Sequence, residues 1–269
     1  MRFLDKSRIL VRKTGPHLKK TARILLVMTL LVGVAFLAGV IGGLAVSGHW
    51  DSPELPRIRQ NWEATVFIPL PGNHSGTGIA VSEDGHILTN EHVLSTALGA
   101  PLSVIVDDGS GRQTFEAEIV DVDEEHDLAL LRINHVFNDP VVLVSNDLPP
   151  APGSWTYGIG FPFGLRKQLS QGYISSKRFA DRSSKAPAAA RDAIMLHGQF
   201  EPGMSGAGVF DDEYGHLVGM NSMSIWMGDS TEHQIASPLV LPVRNIRAFL
   251  DRNNVPHATP DAPWWEYWR

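Results

Sequence analysis

The sequence predicts an all-β protein of two six-stranded-type antiparallel β-barrels with a C-terminal helix, preceded by one transmembrane helix. Three observations carry that expectation. Short apolar runs of strand length recur with turn signals between them. A proline-rich segment, NDLPPAPG at 146–153, divides them into halves of similar size, about 62–145 and 153–240. An uncharged stretch, ILLVMTLLVGVAFLAGVIGGLAV at 24–46, stands ahead of them all.

Residues 1–23 carry eight Lys or Arg against one Asp, a basic flank on a chain whose net charge is −6. The 23 residues that follow, 24–46, suffice to cross a hydrocarbon core of roughly 30 Å as a helix. The positive flank precedes the stretch and Asp51 and Glu54 follow it. The expected topology is therefore a cytoplasmic N-terminus with the body in the periplasm or outside the cell, a single-pass signal anchor. A cleaved signal peptide, with Ala45 and Ser47 at the cleavage site, is the competing reading, but its apolar region is usually only about 7–15 residues. Residues 47–61, with HWDSPELPRIRQN at 49–61, read as a polar, proline-bearing linker, so the folded domain is expected over 62–250.

Within that domain the strand candidates are TVFI, GIAV, HILT, SVIV, FEAEIVDV, LALLRI, VVLV, WTYGIG, QLSQGYIS, AIML, AGVF, LVGMNSMSI and QIAS. Asp84-Gly85 is a hairpin signal and DDGSGR at 107–112 a second turn. One helix is expected in the soluble part, PVRNIRAFL at 242–250, with Pro242 in the first turn and Val243, Ile246 and Phe249 or Leu250 on one face. Residues 251–269 form a tail too short to be a domain. The polar loop 175–193 is long enough to be functional.

Composition narrows the chemistry. Beyond residue 23 the body is acidic, which argues against nucleic-acid binding. With no cysteine there is no disulfide, thiol catalysis or Cys-based zinc site, and the histidines lack an HExxH pair. No cofactor and no metal are expected. What remains is a serine, a histidine and an aspartate in the order His92, Asp127, Ser205, drawn from TNEHV, HDLALL and GMSGAG. A serine hydroxyl is a poor nucleophile without an imidazole to take its proton and a carboxylate to fix the imidazole's tautomer. Asp127 ends the acidic run DVDEEHD and directly precedes the apolar strand LALL, so it can face the cleft while its neighbours face water. Ser205 lies between Gly203 and Gly206, where missing side chains permit a sharp turn.

These segments, SGTGIAVSEDGHILTNEHV, DLALLRI, GIGFPFGLRKQLSQGYIS, EPGMSGAGVF, LVGMNSMSI and QIASP, resemble in their order the HtrA (Deg) family of trypsin-fold serine proteases, over about 62–250. The resemblance implies a membrane-anchored serine endopeptidase that cleaves envelope or misfolded proteins through an acyl-enzyme. It implies catalytic His92, Asp127 and Ser205, and an oxyanion hole made by the backbone N–H groups of Gly203 and Ser205. It also implies a specificity pocket from Gln199, Phe200, Asn221, Ser222 and Met223, in which Phe200 shortens the cavity and favours cleavage after small or medium aliphatic residues. Two features depart from the family pattern: Ala207 stands where a second glycine often follows Ser-Gly, and no PDZ domain is read after residue 250. Protein or peptide substrates are the expected partners, together with the membrane through 24–46. The family's trimers make a homo-oligomer an expectation whose stoichiometry is open.

Two other functions fit some of the same residues. One is a non-catalytic, membrane-tethered binding domain with the same fold. The other is an α/β-hydrolase esterase using Ser205, Asp229 and His233, which requires alternating strands and helices that the pattern does not display.

Overall fold

The structure, a computed structural model, describes residues 55–97, 101–108, 111–177, 190, 192–227 and 235–260. The expected transmembrane helix 24–46 lies outside the described residues, and among those described no helix is long and apolar enough to cross a membrane.

Twelve strands close into two antiparallel barrels, one of order β1-β2-β3-β6-β5-β4 and the other β10-β11-β12-β9-β8-β7. The first barrel uses β1 (Thr65–Leu70), β2 (His74–Ala80), β3 (His86–Thr89), β4 (Ser103–Asp107), β5 (Arg112–Asp123) and β6 (Leu128–Ile133). The second uses β7 (Trp155–Gly160), β8 (Gln168–Ser176), β9 (Ile194–Gly198), β10 (Gly208–Asp211), β11 (Leu217–Met227) and β12 (Ile235–Pro242). Closure leaves neither sheet with a free edge, so every strand is paired on both sides. The division falls at the proline-rich segment, and the hairpin expected at Asp84-Gly85 joins β2 to β3. Gly85 holds φ 94 with its α-carbon against the carbonyl of Ile133, where a side chain would collide with backbone.

The largest core fills the first barrel with Val66, Ile68, Ile79, Ile87, Leu88, Leu128, Leu130 and Leu131, and runs on through Tyr157, Phe210 and Leu217 of the second barrel. The C-terminal helix seals it. This helix, α3 (Val243–Arg252), buries Val243, Ile246, Phe249 and Leu250 on one face. It begins one residue later and ends two residues beyond the expected span. Pro242 closes β12 with extended dihedrals (φ −70, ψ 148) and sits just before the first turn. A separate core inside the second barrel contains Ile174, Ile194, Leu196, Phe200, Met204, Val209 and Val240.

Three expectations change. The folded body begins earlier than residue 62: residues 55–61, expected as linker, belong to helix α1 (Leu55–Glu63). Ile58 and Trp62, four residues apart on one face, pack on the core. Asn61 is buried and its amide donates to Tyr157 Oη and to the carbonyl of Gly215, 2.8 Å each. A second short helix, α2 (Glu91–Ser95), follows β3, so α3 is not the only helix. Finally, VVLV at 141–144 is not a barrel strand. Val141 and Leu143 are fully buried, but the segment pairs one residue at a time, Val142 with Ala258 and Leu143 with Leu217. Both barrels are already closed, so this apolar run can only cross beside them.

The all-β architecture overturns the α/β-hydrolase reading, and Asp229 and His233 lie outside the described residues.

Candidate active site

The first barrel contributes His92 and Asp127 through two short devices at the same end. β3 stops at Thr89, and Asn90, in an extended conformation, starts α2 without capping it. Its side-chain amide reaches across to the carbonyl of Asp127 (3.0 Å). Asp127 occupies the tight connection between β5 and β6 with φ 55, a left-handed conformation that a side-chain-bearing residue holds only where neighbours enforce it. The bond from Asn90 is one such restraint.

The carboxylate is buried and well supplied with donors. Asp127 Oδ1 accepts from the backbone N–H of His92 (3.1 Å), and the ring Nδ1 of His92 lies 2.9 Å from Oδ1 and 3.0 Å from Oδ2. A carboxylate is an acceptor only, so Nδ1 carries the ring proton and Nε2 is left as the acceptor. The imidazole is 42% exposed against 9% for the carboxylate, so the ring lies at the accessible edge of a buried acceptor.

The second barrel contributes the serine on a turn braced from three sides. Gly203 (φ 96) and Gly206 (φ 87) adopt backbone conformations that favour glycine, and the α-carbon of Gly206 presses on the carbonyl of Thr77. Thr77 N–H donates to Ser205 O (2.8 Å) and Thr77 Oγ1 to Gly203 O (2.8 Å), tying the turn to β2 of the first barrel. From β11, Asn221 O accepts from Gly206 N–H (2.9 Å), Asn221 N–H donates to Ala207 O (2.8 Å), and Asn221 Nδ2 donates to Met204 O (2.9 Å). Within the turn, Met204 N–H goes to Glu201 O (3.0 Å). The N–H groups of Gly203 and Ser205 donate to no acceptor among the described residues.

Ser222 joins the two halves. The pairing of β11 with β12 shifts register between Asn221 and Met223, so Ser222 is the extra residue of a bulge. Its hydroxyl donates a short hydrogen bond to Asp127 Oδ2, and its carbonyl accepts from Ser205 Oγ (3.1 Å). His92, Asp127, Ser222 and Ser205 thus form one connected cluster between the barrels. In sequence Ser222 is one of several small residues on a strand; a bulge that turns it toward the other barrel is a property of the paired sheet.

The residues expected to line the specificity pocket separate. Phe200 is buried in the second-barrel core, its ring so close to Gly158 that a β-carbon there would lie 2.5 Å from Cε1. Gln199 is exposed and lines an outer groove with Trp155, Gln171, Tyr173 and His197, which includes neither Asn221 nor Ser222. Asn221 braces the nucleophile turn and Ser222 holds Asp127. Met223 lies on β11 opposite Leu239.

The geometry has known relatives. A trypsin-like peptidase domain model matches residues 76–220. The chain is 32% identical over 242 residues to the serine protease HTRA1 of Xenopus laevis, covering 81% of this chain and 48% of that protein. It is 31% identical over 188 residues to a probable periplasmic serine endoprotease, DegP-like, of Halomonas elongata, covering 65% of this chain and 37% of the other. Among solved structures, the fold resembles the serine endoprotease from Yersinia pestis with TM-score 0.59 at 24% identity, covering 75% of this chain and 66% of that one. It resembles Deg5 with TM-score 0.56 at 26% identity, over 72% of this chain and 90% of Deg5. The chain spans about half the length of the first of these relatives and little more than a third of the second.

Proposed function

Since this chain belongs to the trypsin-like peptidase family, among its HtrA-like serine proteases, we propose that it is a serine endopeptidase acting through an acyl-enzyme. Ser205 Oγ attacks the scissile carbonyl while His92 Nε2 takes its proton; the imidazolium then protonates the leaving amine as the peptide C–N bond breaks. Water, deprotonated by the same nitrogen, attacks the ester, and the proton returns to Ser205. Asp127 holds the ring in the required tautomer and offsets its positive charge. The N–H groups of Gly203 and Ser205, which have no acceptor among the described residues, are the donors for the developing oxyanion. The observation that carries this reading is the buried Asp127 carboxylate, which receives both the backbone N–H and the ring of His92 and, through the Ser222 hydroxyl, reaches the strand that braces the serine turn.

Labelling by a fluorophosphonate probe tests it. The wild-type chain is expected to label, and Ser205→Ala and His92→Ala to abolish labelling. A second reading, a binding domain that keeps the fold without turnover, draws on the direction of the Ser205 hydroxyl, which donates to Ser222 O. Absence of labelling in the wild-type chain would favour it.

Protein or peptide substrates with uncharged, small or medium aliphatic side chains before the cut are supported by the lack of a carboxylate six residues before Ser205, where Gln199 stands. The uncharged 24–46 and the basic 1–23 support a membrane anchor with the protease body on the far side of the cytoplasmic membrane. A reporter fused after residue 269 that is active in the cytoplasm would overturn that placement. Self-association, as in the family's trimers, is open to sedimentation measurements.

A further inference from the structure

The segment between β7 and β8, Phe161–Lys167, lies against the serine turn. The carbonyl of Phe161 crowds the α-carbon of Gly203, and Phe163 N–H donates to Pro202 O (2.6 Å). In a trans peptide the N–H and C=O point in opposite directions, so holding Pro202 O toward Phe163 turns Gly203 N–H away from this segment. Phe163 pays for its place with φ 54, a left-handed conformation that surrounding contacts must maintain.

Those contacts sit at the two ends of the segment. At the near end Phe161 N–H donates to Thr77 Oγ1 (3.2 Å). At the far end Lys167, a second-barrel residue, points its ammonium into the first barrel and α1. Its Nζ donates to Trp62 O (2.6 Å) and Asp107 O (3.3 Å), and lies 5.5 Å from the Trp62 ring centre and 5.7 Å from that of Phe161. Two carbonyls and two aromatic faces make a site for a cation. The neighbouring charges are Glu63 on α1, Asp107 at the end of β4, and Asp108, which is itself paired with His135 (2.9 Å).

Resting on the endopeptidase reading, we infer that Lys167 is a positioning residue for acyl transfer. Its ammonium clasps the Phe161–Lys167 segment to the first barrel, and the segment holds the Pro202–Gly203 peptide with its N–H available to the oxyanion. Lys167 touches no reacting atom in this scheme. The clasp also depends on pH: burial lowers the Lys167 pKa to about 8, against the pull of Asp107, Glu63 and Asp108. The cation is therefore present below that pH and lost above it.

Lys167→Met keeps the length and apolar stem and removes the donors, whereas Lys167→Arg keeps donors and charge at any accessible pH. In the full chain, Lys167→Met is expected to lower kcat about tenfold or more on a peptide substrate with little change in KM. It should also slow fluorophosphonate labelling and speed amide exchange at Phe163. The wild type is expected to lose activity above about pH 8, and Lys167→Arg to retain activity and shift that alkaline decline upward by at least one pH unit. Wild-type kcat in Lys167→Met, a loss confined to KM, or an unmoved alkaline limb in Lys167→Arg would each overturn the inference. If the wild-type chain itself shows no Ser205-dependent labelling, the endopeptidase reading fails. Exchange at Phe163 then decides the clasp separately: unchanged exchange in Lys167→Met refutes it, and faster exchange upholds it.

Discussion

The two barrels share an architecture and solve different local problems. The first holds its site residues by side-chain hydrogen bonds: Asn90 to the Asp127 backbone, and the Asp127 carboxylate to His92 twice over. The second holds Ser205 mostly through its backbone, by glycines with positive φ pressed against Thr77 and Phe161 and by bonds to the turn's main chain from Thr77 and Asn221. A carboxylate and an imidazole must be oriented as side chains, so their supports are side chains. A serine that also offers its N–H needs the main chain itself bent into place, and missing β-carbons permit that bend. Substitutions should therefore cost chemistry in the first barrel and shape in the second.

The sharpest break is the removal of the proposed reacting groups. Ser205→Ala, His92→Ala and Asp127→Asn should each lower peptide hydrolysis by several powers of ten, on the order of 10⁴, with strongly non-additive double mutants and unchanged circular dichroism. Substantial casein cleavage by the serine variant would remove the triad assignment.

Next come the shape changes of the second barrel. Gly206→Ala drives a methyl group into the Thr77 carbonyl at φ 87, so activity should collapse together with a stability loss of about 2 kcal/mol or more. Asn90→Ala in the first barrel loses one hydrogen bond, about 1 kcal/mol, and should show its effect mainly in kcat. Thermal melts and kinetics on the two variants read this contrast directly, and a Gly206→Ala protein that melts like the wild type would dissolve it. Phe200→Ala empties part of the second core and should cost about 3–5 kcal/mol. Thermal melts read that loss, and a Phe200→Ala protein that melts like the wild type would take Phe200 out of the core.

Ser222→Ala is a smaller step. Asp127 keeps its bonds to His92, so kcat is expected to fall about tenfold with KM held, a shift that steady-state kinetics resolve. The smallest effect belongs to the surface. Hydrogen bonds from Asn253 and Arg252 hold Asp121 below the usual carboxylate range. Burial alone would raise Asp123, but the N–H and ring of His126 and the charge of Arg252 outweigh it and hold it low too. Carboxylates with depressed folded pKa values stabilise the protein above their unfolded values, near pH 4, and that contribution fades as pH falls through the lower folded values. Arg252→Ala should thus destabilise by no more than about 1 kcal/mol at pH 7, and by less below pH 3, in urea titrations.

Much of this was legible in the residues alone. Strand-length apolar runs, Asp84-Gly85 and the proline-rich 146–153 were enough for two barrels, because period-two burial and turn chemistry are local properties. His92, Asp127 and Ser205 stood out because each sits at an edge between an apolar strand and a turn. Tertiary structure decided what depends on partners far along the chain. Asn61 makes sense only beside Tyr157 and Gly215, which is why residues 55–61 look like a tether in sequence and form a helix in the fold. VVLV is apolar enough for a strand, yet with both barrels closed it has no ladder to join. Ser222 reaches Asp127 because a bulge in β11 turns it across the cleft, and Gln199 faces the outer groove because its neighbour Phe200 takes the core side. Sequence marked the two barrels and the candidate triad residues, since both follow from short-range chemistry. The joining of Ser222, Asp127, His92 and Ser205 required the two barrels to meet, because hydrogen bonds between residues some 95 positions apart leave no periodic trace in the chain.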